Sequence, residues 1–177
     1  MKKTILMFLL LPLFWFSQSC DDPKYANTLD NETTVDAMGL HFITTASEAG
    51  QTEIKASTVA QSISQNPRVV AFAKMMIADH SAAGIKLDKL KARELVHGPY
   101  TLNEDHVKMI DSLSKLSGSN FDKAYMQVMV NDHENAVDLF KEGGENRDAA
   151  VKGYAEETLP TIEMHLDSAK TILASLK

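Results

Sequence analysis

The sequence predicts an all-α fold, an antiparallel four-helix bundle with a short additional helix between the second and third long helices. Three observations carry this. Apolar residues recur at helical spacing through four long segments. No segment alternates with the period of two that a half-buried strand requires. Glycine and proline are few and cluster between the periodic segments. Long amphipathic helices with short connections pack against antiparallel neighbours.

The opening of the chain stands apart from the bundle. Met1-Lys2-Lys3-Thr4 is cationic, Ile5 to Phe16 is apolar, and Ser17-Gln18-Ser19 leads to Cys20, the one cysteine. This is the layout of a cleavable export leader. The apolar run falls short of the roughly 20 residues a membrane span needs. Residues 1–19 are therefore expected to be a lipoprotein signal peptide, with Cys20 lipidated after cleavage. Ser17 departs from the branched aliphatic residue usual three positions before such a cysteine. An ordinary secretory signal with an incidental cysteine is the alternative. Residues 20–33, polar and turn-forming from Asp21-Asp22-Pro23-Lys24 onward, are expected to be a flexible tether, and 34–177 the bundle. The expected location is the cell envelope, at the outer membrane or the periplasmic side of a membrane, with the lipid on Cys20 as the membrane contact.

The helices follow in order. The first is expected from about Thr34 to Ser64, with Thr33 and Asp36 at capping-box spacing. Asn66-Pro67 supplies an N-cap and a first helical proline for the second, which runs to about Leu95 before His97-Gly98-Pro99. A short helix spans about Glu104 to Leu116 behind Asn103. Ser117-Gly118-Ser119-Asn120 separates it from a third long helix, about Phe121 to Glu142, which stops at Gly143-Gly144. The last covers about Arg147 to Leu176, with a kink expected at Pro160.

Composition narrows the function. The formal charge is −6, and it becomes −8 once a leader with two lysines and no acids is removed. Phosphate binding needs a basic face, so nucleic acid is excluded as a partner. The 158 residues after the leader are enough for one domain with a core. No second cysteine is present for a disulfide, so stability comes from packing, with or without a metal. No phosphate loop, nucleophile elbow or Cys-His pair is present. The sequence thus assigns no catalytic residue, no organic cofactor and no protein partner.

Four polar residues share the phase of apolar ones. Glu53 has Ala46, Ala49, Ala56 and Ala60 around it at helical offsets. His80 stands seven residues from Ala73 and Leu87, and His133 seven from Met126 and Phe140. His165 has Ile162, Ala169 and Ile172 at three, four and seven. A spacing of seven returns to nearly the same face, so each long helix aims one imidazole or carboxylate inward. Their distances from the turns bring them toward one level. Three neutral imidazoles and a carboxylate in a dry interior suit a single transition metal ion, with zinc, iron, manganese and copper not distinguished. The alternative is a hydrogen-bonded His⁺–Glu⁻ core without metal. His41 is out of phase with Glu53, and His97 and His106 are expected to be solvated. Met75, Met76, Met126 and Met129 are expected to fill the core.

Three stretches resemble a known family. They are Ala71 to His80, Ser117 to Met126 with the following Asp132-His133, and Thr158-Leu159-Pro160 to His165-Leu166. The combination of Asp-His, Phe-Asp-x-x-Tyr then His, and Leu-Pro then His-Leu is similar to domain of unknown function 4142 (DUF4142). The likeness covers about residues 36–172, and Glu53 sits where that family's first-helix glutamate does. It implies a ferritin-like four-helix bundle, often exported, and no agreed activity. Ferritin-like di-iron sites use Glu-x-x-His on two helices. Here Ile77, Val130 and Ile162 stand three residues before the histidines, which disfavours a carboxylate-bridged pair and leaves a mononuclear, nitrogen-rich site. Asp79, Asp132 and Tyr125 are then expected in supporting roles around the ligands.

Overall fold

The structure, a computed structural model, describes residues 34–98 and 101–176. The expected leader, Cys20 and the tether lie outside the described residues. Four helices of 27 residues, α1 (Ala37–Ile63), α2 (Pro67–Arg93), α4 (Gly118–Gly144) and α5 (Ala149–Ser175), pack around one core, with an 11-residue α3 (Glu104–Ser114) on the outside. Among the described residues there is no strand, and no helix is long and apolar enough to cross a membrane.

Local chemistry sets most of the helix starts. Asn66 accepts from the Arg68 amide at 3.0 Å and Pro67 opens α2. Asn103 caps α3 through the His106 amide at 2.8 Å, and Asp148 caps α5 through Ala150 and Val151. Two expected helix starts move. Helix α1 begins later than expected, because Asp36 is itself the N-cap and accepts from the Gly39 amide at 2.8 Å. Helix α4 begins earlier, absorbing Gly118-Ser119-Asn120, and ends at Gly143-Gly144 as expected. Gly143 is a packing residue as well, since a Cβ there would lie 2.5 Å from a ring carbon of Phe42. Helix α5 runs unbroken through Pro160. Pro160 and Glu156 are exposed, so the carbonyl that loses its donor faces water.

Cross-helix pairs fix the directions. The end of α1 meets the start of α4 where Ser64 Oγ donates to Asp122 at 2.5 Å, and Phe42 near the start of α1 packs on Phe140 near the end of α4. Arg68 at the start of α2 bonds Ser175 at the end of α5, and Lys86 pairs with Glu157. Each helix is thus antiparallel to both its neighbours, in the ring order α1, α2, α5, α4. In chain order the helices run up, down, down, up. The α2–α4 connection, described at residues 94–98 and 101–117, is therefore not a short turn but a crossover along the bundle. Helix α3 lies within it against α1 and α4. There Glu48 accepts from the Asn103 amide at 2.8 Å and meets His106 at 2.7 Å, with Thr52 at 3.3 Å from the same ring. His106 is accordingly half-buried rather than solvated.

The core falls into two clusters. One holds Phe42, Ile43, Leu87, Leu90, Phe140 and Tyr154 with their neighbours, and the other Val69, Phe72, Met76, Phe121, Met126 and Met129 with theirs. Each fully buried large side chain contributes about 1.5–3 kcal/mol. On all four helices the boundary between the clusters falls at one residue: Glu53, His80, His133 and His165.

Candidate metal centre

The four residues lie close to the middle of their helices, at positions 17, 14, 16 and 17 of 27. That common height follows from the two tight hairpins, α1–α2 and α4–α5. All four are buried, at 2%, 8%, 0% and 1% exposure in chain order. The three imidazole rings form a nearly equilateral triangle, with centroids 5.4, 5.4 and 5.7 Å apart. One potential ligand nitrogen from each histidine lies within 4.8 Å of the others. Nitrogens held tetrahedrally about 2.0–2.1 Å from an ion stand about 3.3 Å apart, so modest side-chain rotation closes the triangle. Glu53 joins from α1, its Oε2 lying 2.9 Å from His80 Nε2 and its Oε1 3.4 Å from His133 Nδ1.

The hydrogen bonds at the rim set the tautomers. His133 Nδ1–H donates to the Met129 carbonyl at 2.9 Å, which leaves a lone pair on Nε2. His165 Nε2–H donates to Asp79 at 2.9 Å, which leaves a lone pair on Nδ1. A carbonyl or carboxylate behind an imidazole in this way is how proteins orient metal-binding histidines. Among the described residues, four buried side-chain atoms have no hydrogen-bond partner in the protein: Glu53 Oε1, His80 Nε2, His133 Nε2 and His165 Nδ1. The 2.9 Å approach of His80 to Glu53 has the distance of an ion pair without the alignment of a hydrogen bond. Each helix therefore contributes one such atom to the same layer.

Electrostatics divide the layer. Burial pushes the Glu53 carboxyl up, but the three imidazoles, His80 foremost, bring it below its ordinary value. Burial lowers His80, yet the adjacent Glu53 carboxylate more than reverses that and holds it above the usual imidazole value. His133 is lowered by burial against the pull of Glu53. Burial takes His165 down to about 4 despite its bond to Asp79. Two imidazoles are thus held neutral, the form that ligates metals, beside one charge pair.

The supporting residues divide differently. Asp79, on α2, bonds a histidine of the layer, though on α5 rather than its neighbour His80. Asp132 is half-buried and raised to about 6, first by burial and then by the Glu53 charge. Tyr125 is fully buried and shares a 2.8 Å hydrogen bond with Ser57, four residues beyond Glu53, rather than with a member of the layer. The four methionines lie in or against the second core cluster, and His41 and His97 are exposed. Sequence reasoning missed the Glu48–His106 pair, because the crossover that brings α3 onto α1 has no local signature.

A family model described as Domain of unknown function (DUF4142) matches residues 26–172. The chain belongs to the DUF4142 family. This DUF4142 protein also resembles two crystal structures. One is a DUF305 fragment from Deinococcus radiodurans, with TM-score 0.71 and 14% identity over 80% of this chain and 99% of that one. The other is a putative secreted DUF305 protein from Streptomyces coelicolor, with TM-score 0.65 and 14% identity over 77% and 92%. At that identity the likeness concerns the fold alone. No curated protein matches the DUF4142 chain.

Proposed function

We propose that this protein is a lipid-anchored envelope protein that binds one transition metal ion through His80, His133, His165 and Glu53, in metal handling or protection against stress. The observation that carries the metal reading is the set of four buried atoms, one per helix, that make no hydrogen bond within the protein and face a common layer. A buried polar atom left unsatisfied costs about 1–3 kcal/mol. His133 Nε2 and His165 Nδ1 have neither a hydrogen bond nor an ion pair, whereas His80 Nε2 and Glu53 Oε1 lie 2.9 and 3.4 Å from charge partners within the layer. A bound ion turns each into a ligand. Three imidazole nitrogens and a carboxylate oxygen suit zinc, iron, manganese or copper. The single long crossover supports a ferritin-like reading of the bundle, since such folds carry one.

The anchoring part rests on the leader sequence and on Cys20. Its test is Cys20→Ser, expected to move the protein from the membrane fraction to the soluble fraction. Retention in the membrane would refute the anchor. The metal part is tested by elemental mass spectrometry of the full chain, expressed with its leader and purified without a polyhistidine tag. About one equivalent of a transition metal is expected. No metal, and no uptake of zinc, iron, manganese or copper on reconstitution, favours the second reading, a metal-free ionic core in an interaction module. The close approach of His80 and Glu53 is the observation on that side.

A further inference from the structure

A cavity of about 270 Å³ opens beside the layer, between α1, α2, α4 and α5. Its lining includes Glu53 and His80 but neither His133 nor His165. Two of the four atoms without a hydrogen bond, Glu53 Oε1 and His80 Nε2, belong to these buried lining residues. Toward solvent, Ala49 and Gly50 of α1 and Ala83 and Gly84 of α2 keep the space open, and the exposed Ser81 and Ile85 form part of the rim. Deeper, Leu87, Phe140, Tyr154 and Ile162 give apolar walls. A dry cavity of about 150 Å³ already accepts benzene, so this one has room for a ring-sized guest.

Asp88 and Glu53 line the cavity, and no lysine or arginine does. The positive groups facing a guest are therefore His80 and the ion of the layer itself. An apolar body finds the apolar walls, and a lone pair at its tip finds the layer.

We propose that this cavity binds a small molecule with one nitrogen or oxygen donor on an apolar body, which gives its lone pair to the metal from the Glu53–His80 side. The step is coordination alone, with no electron transfer and no bond broken in the guest. It rests on the metal reading above, and it makes the centre one that admits an outside ligand rather than a sealed structural site.

The test uses the full chain loaded with cobalt(II), whose visible bands report coordination, and imidazole at pH 8 as the probe. Imidazole is expected to shift the bands saturably while cobalt content stays at one equivalent. Gly84→Leu enlarges a residue of the cavity lining, and nothing lies within 4 Å of the Cβ position there. It is expected to keep its cobalt and to need at least tenfold more imidazole. Ala83→Leu, on the same wall, is the second variant should the first not fold. Two results would each overturn the proposal: no band shift in cobalt-loaded wild type, or unchanged imidazole affinity in folded leucine variants. Failure of the metal reading looks different, because the wild type would then take up no cobalt at all.

Discussion

Replacing His133 by alanine separates the metal reading from the ionic-core reading. The ring is fully buried, and it holds one of the partnerless atoms and a hydrogen bond to Met129. In metal-free protein its removal costs packing of about 2–3 kcal/mol, partly offset by the loss of an unsatisfied nitrogen worth about 1–3 kcal/mol. The metal-free variant is therefore expected to unfold within a few degrees of metal-free wild type. With metal the two diverge. An ion at a thousandfold excess over its dissociation constant stabilises the wild type by about 4 kcal/mol, which raises Tm by about 10–15 °C in a domain of this size. His133→Ala is expected to show no such rise and no bound metal. The assay is calorimetry with and without zinc, paired with elemental analysis. Full metal uptake and an undiminished rise in the variant would refute the ligand set.

Four further outcomes follow from the same geometry. Asp79→Asn keeps every ligand but weakens the acceptor behind His165, so metal affinity is expected to fall about 10–100-fold, measured by competition with a chelator. Tyr125→Phe removes the bond to Ser57 and is expected to lower stability to urea by about 1–2 kcal/mol with metal content unchanged. Gly143→Val forces a side chain into Phe42 and is expected to cost about 1–3 kcal/mol, again with metal retained, as read by the denaturant midpoint. Burial opposes the charge on Glu48, but its bonds to Asn103 and His106 hold its pKa below the ordinary value. The stability this adds is present at neutral pH and lost as pH falls through the folded value. Amide exchange in α3 is therefore expected to accelerate below about pH 4, ahead of the long helices.

The long helices and the polar layer were legible because both obey one rule. A residue seven positions from apolar neighbours shares their face, and Glu53, His80, His133 and His165 all satisfy it. Asn66-Pro67 and Asn103 were readable for a related reason, since their capping is complete within a few residues. What escaped is long-range. Gly143 reads only as part of a stop in the sequence, and Phe42, from the far end of the chain, shows that it is also a point of close packing. Asp79 reads as a neighbour of His80, yet its bond crosses to α5. The crossover from α2 to α4 resembles a chain of short turns until Ser64 meets Asp122 and fixes the direction of α4.

The residues next to the layer bear on how many ions it can hold. A second ion would need bridging carboxylates one turn before the histidines, the arrangement of paired-metal bundles. Those positions hold Ile77, Val130 and Ile162. Val130 lies in the second apolar cluster and Ile162 in the first, both nearly fully buried. Of the carboxylates nearby, Asp79 faces His165 from behind, Asp122 is tied to Ser64 at the end of the bundle, and Asp132 is close enough to Glu53 to feel its charge. Apolar packing thus closes the layer above and below. A stoichiometry of two metals per chain would require donors beyond the four of the layer, and it would count against the mononuclear assignment rather than extend it.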